Sequence, residues 1–253
     1  MIISASRRTD IPAFYSDWFF KRLEEGYLYV KNPMNPGQVS KILLNQDTVD
    51  CFVFWTKDPG PMMERLSVLN RLGYPYYFQF TLTPYGTDVE PGVPHKNELV
   101  RTFRELSCRL GPERVIWRYD PVLLSPSYTR EYHFQWFSRL CGSLEGYTHT
   151  CVISFLDIYR KIKGRMEQIQ PRTMTGSHFC RYCYANFSPA QVEANRRMHD
   201  PESPLLCGRL TGEERITVRE MKSAVRPADD GQMRLGFHDA ELMRLTGKPG
   251  RII

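Results

Sequence analysis

The sequence lacks the marks of several function classes. No run of 18 apolar residues occurs, and the amino-terminal MIISASRRTD turns polar after three residues, without the apolar middle of a signal peptide. The expectation is a chain without a membrane span or export signal, placed in the cytoplasm. There is no G-x-G-x-x-G after any apolar run, no P-loop, no H-E-x-x-H and no G-x-S-x-G. These gaps disfavour dinucleotide binding, metalloprotease and serine-hydrolase chemistry. The 6 histidines form no cluster by spacing, and His95, His133 and His199 read as helix or loop residues. No block of like charge stands out, so the excess of 34 Lys and Arg over 28 Asp and Glu permits an anionic partner such as nucleic acid without requiring one, and the substrate is left open between a small molecule and a nucleic acid. Cysteine occurs 7 times, but with no export signal a disulfide framework is disfavoured. Cys51 and Cys151 lie in apolar runs, where a reduced thiol packs as a small hydrophobe. Only Cys180 and Cys183 are spaced like ligands.

What is present is a globular composition. A chain of 253 residues, 42% hydrophobic and 13% aromatic, is long enough to bury a core as one large α/β domain or two small ones. Short apolar runs at 2–6, 51–56, 76–83, 114–119 and 148–155 are rich in β-branched and aromatic residues and predict strands. Helical stretches lie between them: Ser16 as a cap with Gly26 as a stop, Pro61 in a first turn before Gly73, Asn97 leading to Gly111, and Thr129 leading to Gly142. Runs such as CFVFWT are apolar on both faces, which suits a mostly parallel sheet covered by helices. The reading is a TIM-barrel-like α/β domain, complete or partial, over residues 1–170. Residues 171–253 then form a cysteine-bearing extension, with a capping box at Ser188 to Gln191 opening a helix through Met198 and with irregular polar stretches beyond.

In parallel α/β sheets, chemistry gathers at the carboxyl ends of the strands, where the connecting loops converge. Here those ends carry Arg7, Arg8, Thr9 and Asp10, then Thr56, Lys57 and Asp58, then Thr81 and Thr83, then Arg118 and Asp120, and last Ser154 and Asp157. Period-two alternation sets Ser4, Ser6, Arg8 and Asp10 on one face, as it does Gln79, Thr81 and Thr83, and also Arg118 and Asp120. Arg8, Asp10, Lys57, Arg118 and Asp120 are therefore the candidate substrate-binding residues, meeting in one polar lumen. The plainer alternative for Arg118 is an internal ion pair with Asp120 or Asp10, because a guanidinium among apolar neighbours needs an anion. No residue stands out as a proton donor.

Cys180-Arg181-Tyr182-Cys183 fits a zinc half-site, a redox pair or part of an iron–sulfur site. The nearest further ligands are His178, His199 and Cys207, none of them a second knuckle. The segments SASRRTDIPAFYSDWFFKRLEEGY, NPMNPGQVS, FWTKDPGPM, YYFQFTLTPYG, WRYDPVLLS, SFLDIYRK and CRYCYANFSP together resemble the bacterial proteins grouped as domain of unknown function 1848. That resemblance implies kinship with radical S-adenosylmethionine enzymes whose cysteine cluster lies near the carboxyl end. It further implies a [4Fe-4S] cluster and S-adenosylmethionine as cofactors, with Cys180 and Cys183 as metal ligands. Three thiolates spaced C-x-x-x-C-x-x-C would leave the fourth iron open. The first of the three falls on Gly176, so this chain departs from the pattern and reads as a degenerate, rearranged or disrupted member. The alternative is a non-catalytic binding module, associated with DNA maintenance, in which the cysteine pair is a structural zinc site. Its motif is QMRLGF, where Gln232, Leu235 and Phe237 match peptides that dock to the replication sliding clamp.

Overall fold

A computed structural model of the chain describes residues 1–6, 9–156, 189–220, 223–224, 226–227 and 233–234. Its centre is a five-stranded sheet of β1 (Ile2–Ser4), β4 (Cys51–Thr56), β5 (Tyr76–Thr81), β6 (Val115–Val122) and β7 (Cys151–Phe155), in that spatial order and parallel throughout. The strands follow chain order, so right-handed crossovers lay every intervening helix on the same face. These helices are α1 (Ile11–Phe14), α2 (Ser16–Glu25), α3 (Gly60–Met63), α4 (Leu66–Arg71), α5 (Lys96–Leu110) and α6 (Arg130–Leu144).

The two faces of the sheet differ because side chains alternate along a strand. Phe52, Phe54, Tyr76, Phe78, Phe80, Val115, Trp117 and Tyr119 point to the helices and are buried in one continuous core. Phe19 of α2 meets Phe52 and Phe54 edge-on at 5.3 Å, and Phe80 stacks on Phe103 of α5 at 5.1 Å. On the second face, Cys51 and Val53 are buried, but Trp55, Gln79, Thr81, Arg118, Val152 and Ser154 are only half-buried. Helices therefore cover one face fully, and the other stays partly open. Among the described residues the sheet does not close into a barrel: β1 and β7 are its two edges.

Local signals set most helix boundaries within a residue or two. Gly26 takes φ 76° and its N–H reaches the carbonyls of Arg22 and Leu23, ending α2 as the αL stop that only glycine adopts without strain. Thr129 caps α6 by accepting from the Tyr132 amide, but that helix runs past Gly142 to Leu144. Ser16 is the first residue of α2 rather than its cap, and α5 begins at Lys96 with Asn97 already inside its first turn. In the amino-terminal turn it is Asp10 that caps, taking the Ala13 amide at 3.1 Å.

A second sheet has no counterpart among the predicted strands. β2 (Tyr27–Lys31) and β3 (Gln38–Leu43) form an antiparallel hairpin, and β8 (Arg215–Val218) adds to β3 in parallel. The expected helix near Pro189 is present as α7 (Pro189–Arg197). The HDPESP stretch that follows is irregular but tightly held. Trp18 Nε1 donates to the Ser203 carbonyl at 2.8 Å, and Arg22, fully buried, donates to the carbonyls of Pro201 and Glu202 while forking onto Glu25. The Tyr29 amide completes the seam by donating to the Pro204 carbonyl at 2.9 Å. Part of the extension is thus packed on α2 and β2. Two two-residue strands, β9 (Arg226–Pro227) and β10 (Met233–Arg234), pair with each other. Among the described residues no helix is long and apolar enough to cross a membrane.

Candidate functional site

The carboxyl ends of β4, β5, β6 and β7 carry two polar clusters. The first is built around Glu90, whose side chain is 1% exposed. Its Oε1 accepts from Lys57 Nζ at 2.7 Å and from Thr83 Oγ1 at 2.7 Å, and its Oε2 accepts from Lys96 Nζ at 2.7 Å. Desolvation opposes ionisation of Glu90, but the ammonium groups of Lys57 and Lys96 outweigh it and hold the carboxyl down at about 2. The cluster ties the end of β4, the loop after β5 and the start of α5 into one unit.

Asp10 borders this cluster through the backbone. Its Oδ2 accepts the Lys57 amide at 2.8 Å, and its Oδ1 holds the Ala13 amide. Desolvation pushes this carboxyl up to about 6, against the lowering effect of the amides, the Thr56 hydroxyl and the Lys57 charge. The position reflects cap geometry: Asp10 serves the first turn of α1 and the β4 terminus at once. It is a bridge between two chain segments more than an outlying end of β1.

The second cluster centres on Arg118. Its guanidinium donates Nη1 to Gln79 Oε1 at 2.6 Å and Nε to Asp120 Oδ2 at 3.0 Å, with a second contact from Nη2 to the same carboxylate. Ser154 donates to the other oxygen of Asp120. The guanidinium also lies over the Trp55 ring at 4.3 Å, a cation–π arrangement. Neighbouring strands put these groups side by side, since Thr81 is in register with Arg118 and Arg118 with Val152. The internal pair of Arg118 with Asp120 is therefore present, with side-chain exposures of 13% and 19%.

Behind the second cluster, aromatic hydroxyls fix the loop that leaves β6. Tyr85 Oη donates to the Pro121 carbonyl at 2.6 Å and accepts the Leu123 amide at 2.6 Å. His133 Nε2 faces the Leu123 carbonyl at 2.9 Å and must carry the proton there, so its Nδ1 accepts from Tyr119 Oη at 2.8 Å. Desolvation lowers the His133 pKa, which suits a neutral ring in a fixed tautomer. This histidine is structural, as its place in a helix suggested. Replacing Tyr85 with phenylalanine strands a carbonyl and an amide at once and is expected to lower stability by about 1–2 kcal/mol. A urea midpoint that falls at unchanged slope would register that loss.

Of the predicted site residues, Lys57 and Asp10 meet at the β4 terminus, and Arg118 meets Asp120. Arg8 lies outside the described residues, as do Asp157, the ligand pair Cys180 and Cys183, Gly176, and the clamp-motif residues Gln232, Leu235 and Phe237. Sequence reasoning passed over Glu90, Lys96 and Trp55. Glu90 sits in the irregular stretch TDVEPGVP, where no periodicity marks a buried carboxylate. Trp55 could have been found, because alternation from Val53 sets it on the face of Gln79 and Arg118. Among the described residues no group of three or more His, Cys, Asp or Glu side chains could hold a metal ion.

Neither the curated proteins nor the solved structures contain a match to this chain. The family model described as Domain of unknown function (DUF1848) matches residues 2–177, which span β1 to β7 and both polar clusters, and the chain belongs to that family.

Proposed function

We propose that this protein binds a small-molecule substrate on the partly open face of the sheet, at the carboxyl ends of its strands, in a partial TIM-barrel-like frame. The observation that carries this reading is the pair of polar clusters around Glu90 and Arg118, built by four successive parallel strands and their loops. Sequential strand order with the described helices between the strands on one face supports the barrel-like frame, since that is how (β/α) units wind before closing. Lys57, Arg118, Asp10, Asp120 and Arg8 are the residues proposed to meet substrate.

We further propose that Cys180 and Cys183 hold a metal, in an iron–sulfur protein of the radical S-adenosylmethionine type. When complete, such a cluster supplies the electron for reductive cleavage of S-adenosylmethionine. The donor set of this chain does not match it: the sequence offers two thiols at the required spacing and glycine at position 176. No reaction step is therefore assigned, and the second reading, a binding module with the cysteine pair in a structural zinc site, is favoured by that same glycine.

Anaerobic reconstitution with iron and sulfide separates the two. About four irons per chain and an EPR signal altered by S-adenosylmethionine support the radical-enzyme reading. Zinc alone, or no metal, overturns it. The Gly176→Cys variant is expected to raise iron occupancy by completing the C-x-x-x-C-x-x-C set, and unchanged iron content in that variant counts against a cluster in this loop.

A further inference from the structure

We infer that His199 and Cys207 are a metal-ligand pair that completes, with the thiols of Cys180 and Cys183, a four-donor set for zinc. The assignment rests on the second reading above, in which the cysteine pair is a structural zinc site. The starting observation is the histidine ring, whose Nδ1 lies 2.7 Å from the Leu206 carbonyl. A carbonyl only accepts, so Nδ1 carries the proton and Nε2 keeps its lone pair, with no hydrogen-bond partner among the described residues. Metal-binding histidines are held in this way, one ring nitrogen donating to a carbonyl or carboxylate so that the tautomer is fixed and the other nitrogen is aimed. His133 is the contrast, with both ring nitrogens spent inside the fold.

The backbone brings Cys207 to the same place. Beyond the end of α7 the chain turns back on itself, and the Gly208 amide donates to the Met198 carbonyl at 3.0 Å. Positions 199 and 207 are the next residues inward from that bond, and the His199 ring is bonded to the residue beside Cys207. Tyr15 stands next to both. Its ring meets the His199 ring edge-on at 4.7 Å, and its hydroxyl is near enough to Cys207 to feel a thiolate charge there. His199 and Cys207 are each half-buried, so a cation can reach them and is partly shielded once bound.

An imidazole nitrogen and a thiolate are donors that zinc takes, and its closed structural sites have four. Among the described residues no third His, Cys, Asp or Glu joins this pair. The sequence supplies the other half in Cys180 and Cys183, in the order C-x2-C-x15-H-x7-C. Three thiolates and one imidazole fill a tetrahedral zinc and leave no position open for a substrate, so the role is mechanical. Tyr15 follows α1 and packs on the main core, and a metal beside it ties the extension to the sheet domain.

The test uses the full chain stripped of metal by a chelator, with zinc and cobalt(II) as probes. The expected result is one zinc per chain, bound more than about 100-fold more weakly in His199→Gln and in Cys207→Ser. At saturating cobalt, the thiolate-to-cobalt charge-transfer absorption should fall by about one third in Cys207→Ser, from three thiolates to two, and stay whole in His199→Gln. Metal-free Cys207→Ser should unfold at the urea midpoint of the metal-free parent, which separates loss of a ligand from loss of the fold. Zinc lost only in the Cys180→Ser, Cys183→Ser double variant, with His199→Gln and Cys207→Ser binding like the parent, overturns the inference and leaves the zinc reading in place. A full chain that takes up no zinc overturns both.

Discussion

Replacing Glu90 with glutamine is expected to destabilise the protein by about 3–5 kcal/mol at neutral pH, because two ammonium groups then lose the carboxylate between them. Lys57 and Lys96 are only 20% and 17% exposed, so neither regains full hydration without moving the β4 terminus or the start of α5. Glutamine keeps one acceptor for Lys57 and Thr83 but turns an amide N–H₂ toward Lys96, donor against donor. The acid profile carries the same signature. Glu90 is held at about 2 against an ordinary 4.5, so the stability it contributes is present above pH 4.5 and lost as pH falls toward 2. Asp10 acts with the opposite sign. It is raised from 3.8 to about 6, so its contribution is present below 3.8 and lost as pH rises through 6. Urea midpoints measured across this range should show the Glu90→Gln variant without the low-pH loss but with the Asp10 slope intact. A variant within about 0.5 kcal/mol of the parent would mean that the two lysines find other partners.

Truncating Arg22 to alanine is expected to cost about 2–4 kcal/mol, since a fully buried long side chain, a forked ion pair and two carbonyl contacts vanish together. Glu25 is 35% exposed and can turn to water, so most of the loss comes from the cavity and from the freed 201–203 backbone. The Arg22→Met variant divides these two effects. Methionine restores much of the packing but cannot hold the Pro201 and Glu202 carbonyls. Amide exchange at Tyr29, whose N–H is bonded to the Pro204 carbonyl, should therefore quicken in both variants, although stability recovers in part with methionine. Slow Tyr29 exchange in both would show that Trp18 and β2 hold the segment without Arg22.

Much of this architecture can be read from the chain. The five apolar runs became β1, β4, β5, β6 and β7 because β-branched and aromatic residues at period two fit a pleated surface, whatever their distant neighbours. The β2–β3 hairpin escaped notice because YLYVK and QVSKIL mix aromatic, aliphatic and charged residues and have every β2 position only half-buried, so no apolar run marks them. β8 is exposed along its whole length, and only its pairing with β3 makes it a strand.

The same division runs through the candidate site. That Lys57, Arg118, Asp120 and Ser154 stand at strand ends is a local property of sequence, fixed by alternation and by where each apolar run stops. Which of them pair is not, since partners come from other strands and loops: Glu90 reaches Lys57 across 33 positions, Arg118 reaches Gln79 across 39, and Asp10 caps α1 while holding an amide 47 residues away. The sequence alone therefore determined the parallel α/β class and the end of the sheet where polar groups gather. Only the tertiary structure decided that helices cover one face, that among the described residues β1 and β7 remain edges, and that Arg118 gathers Gln79, Asp120 and the Trp55 ring around it. Strand propensity and alternation act over a few residues, whereas burial and pairing depend on segments that meet only once the chain has folded.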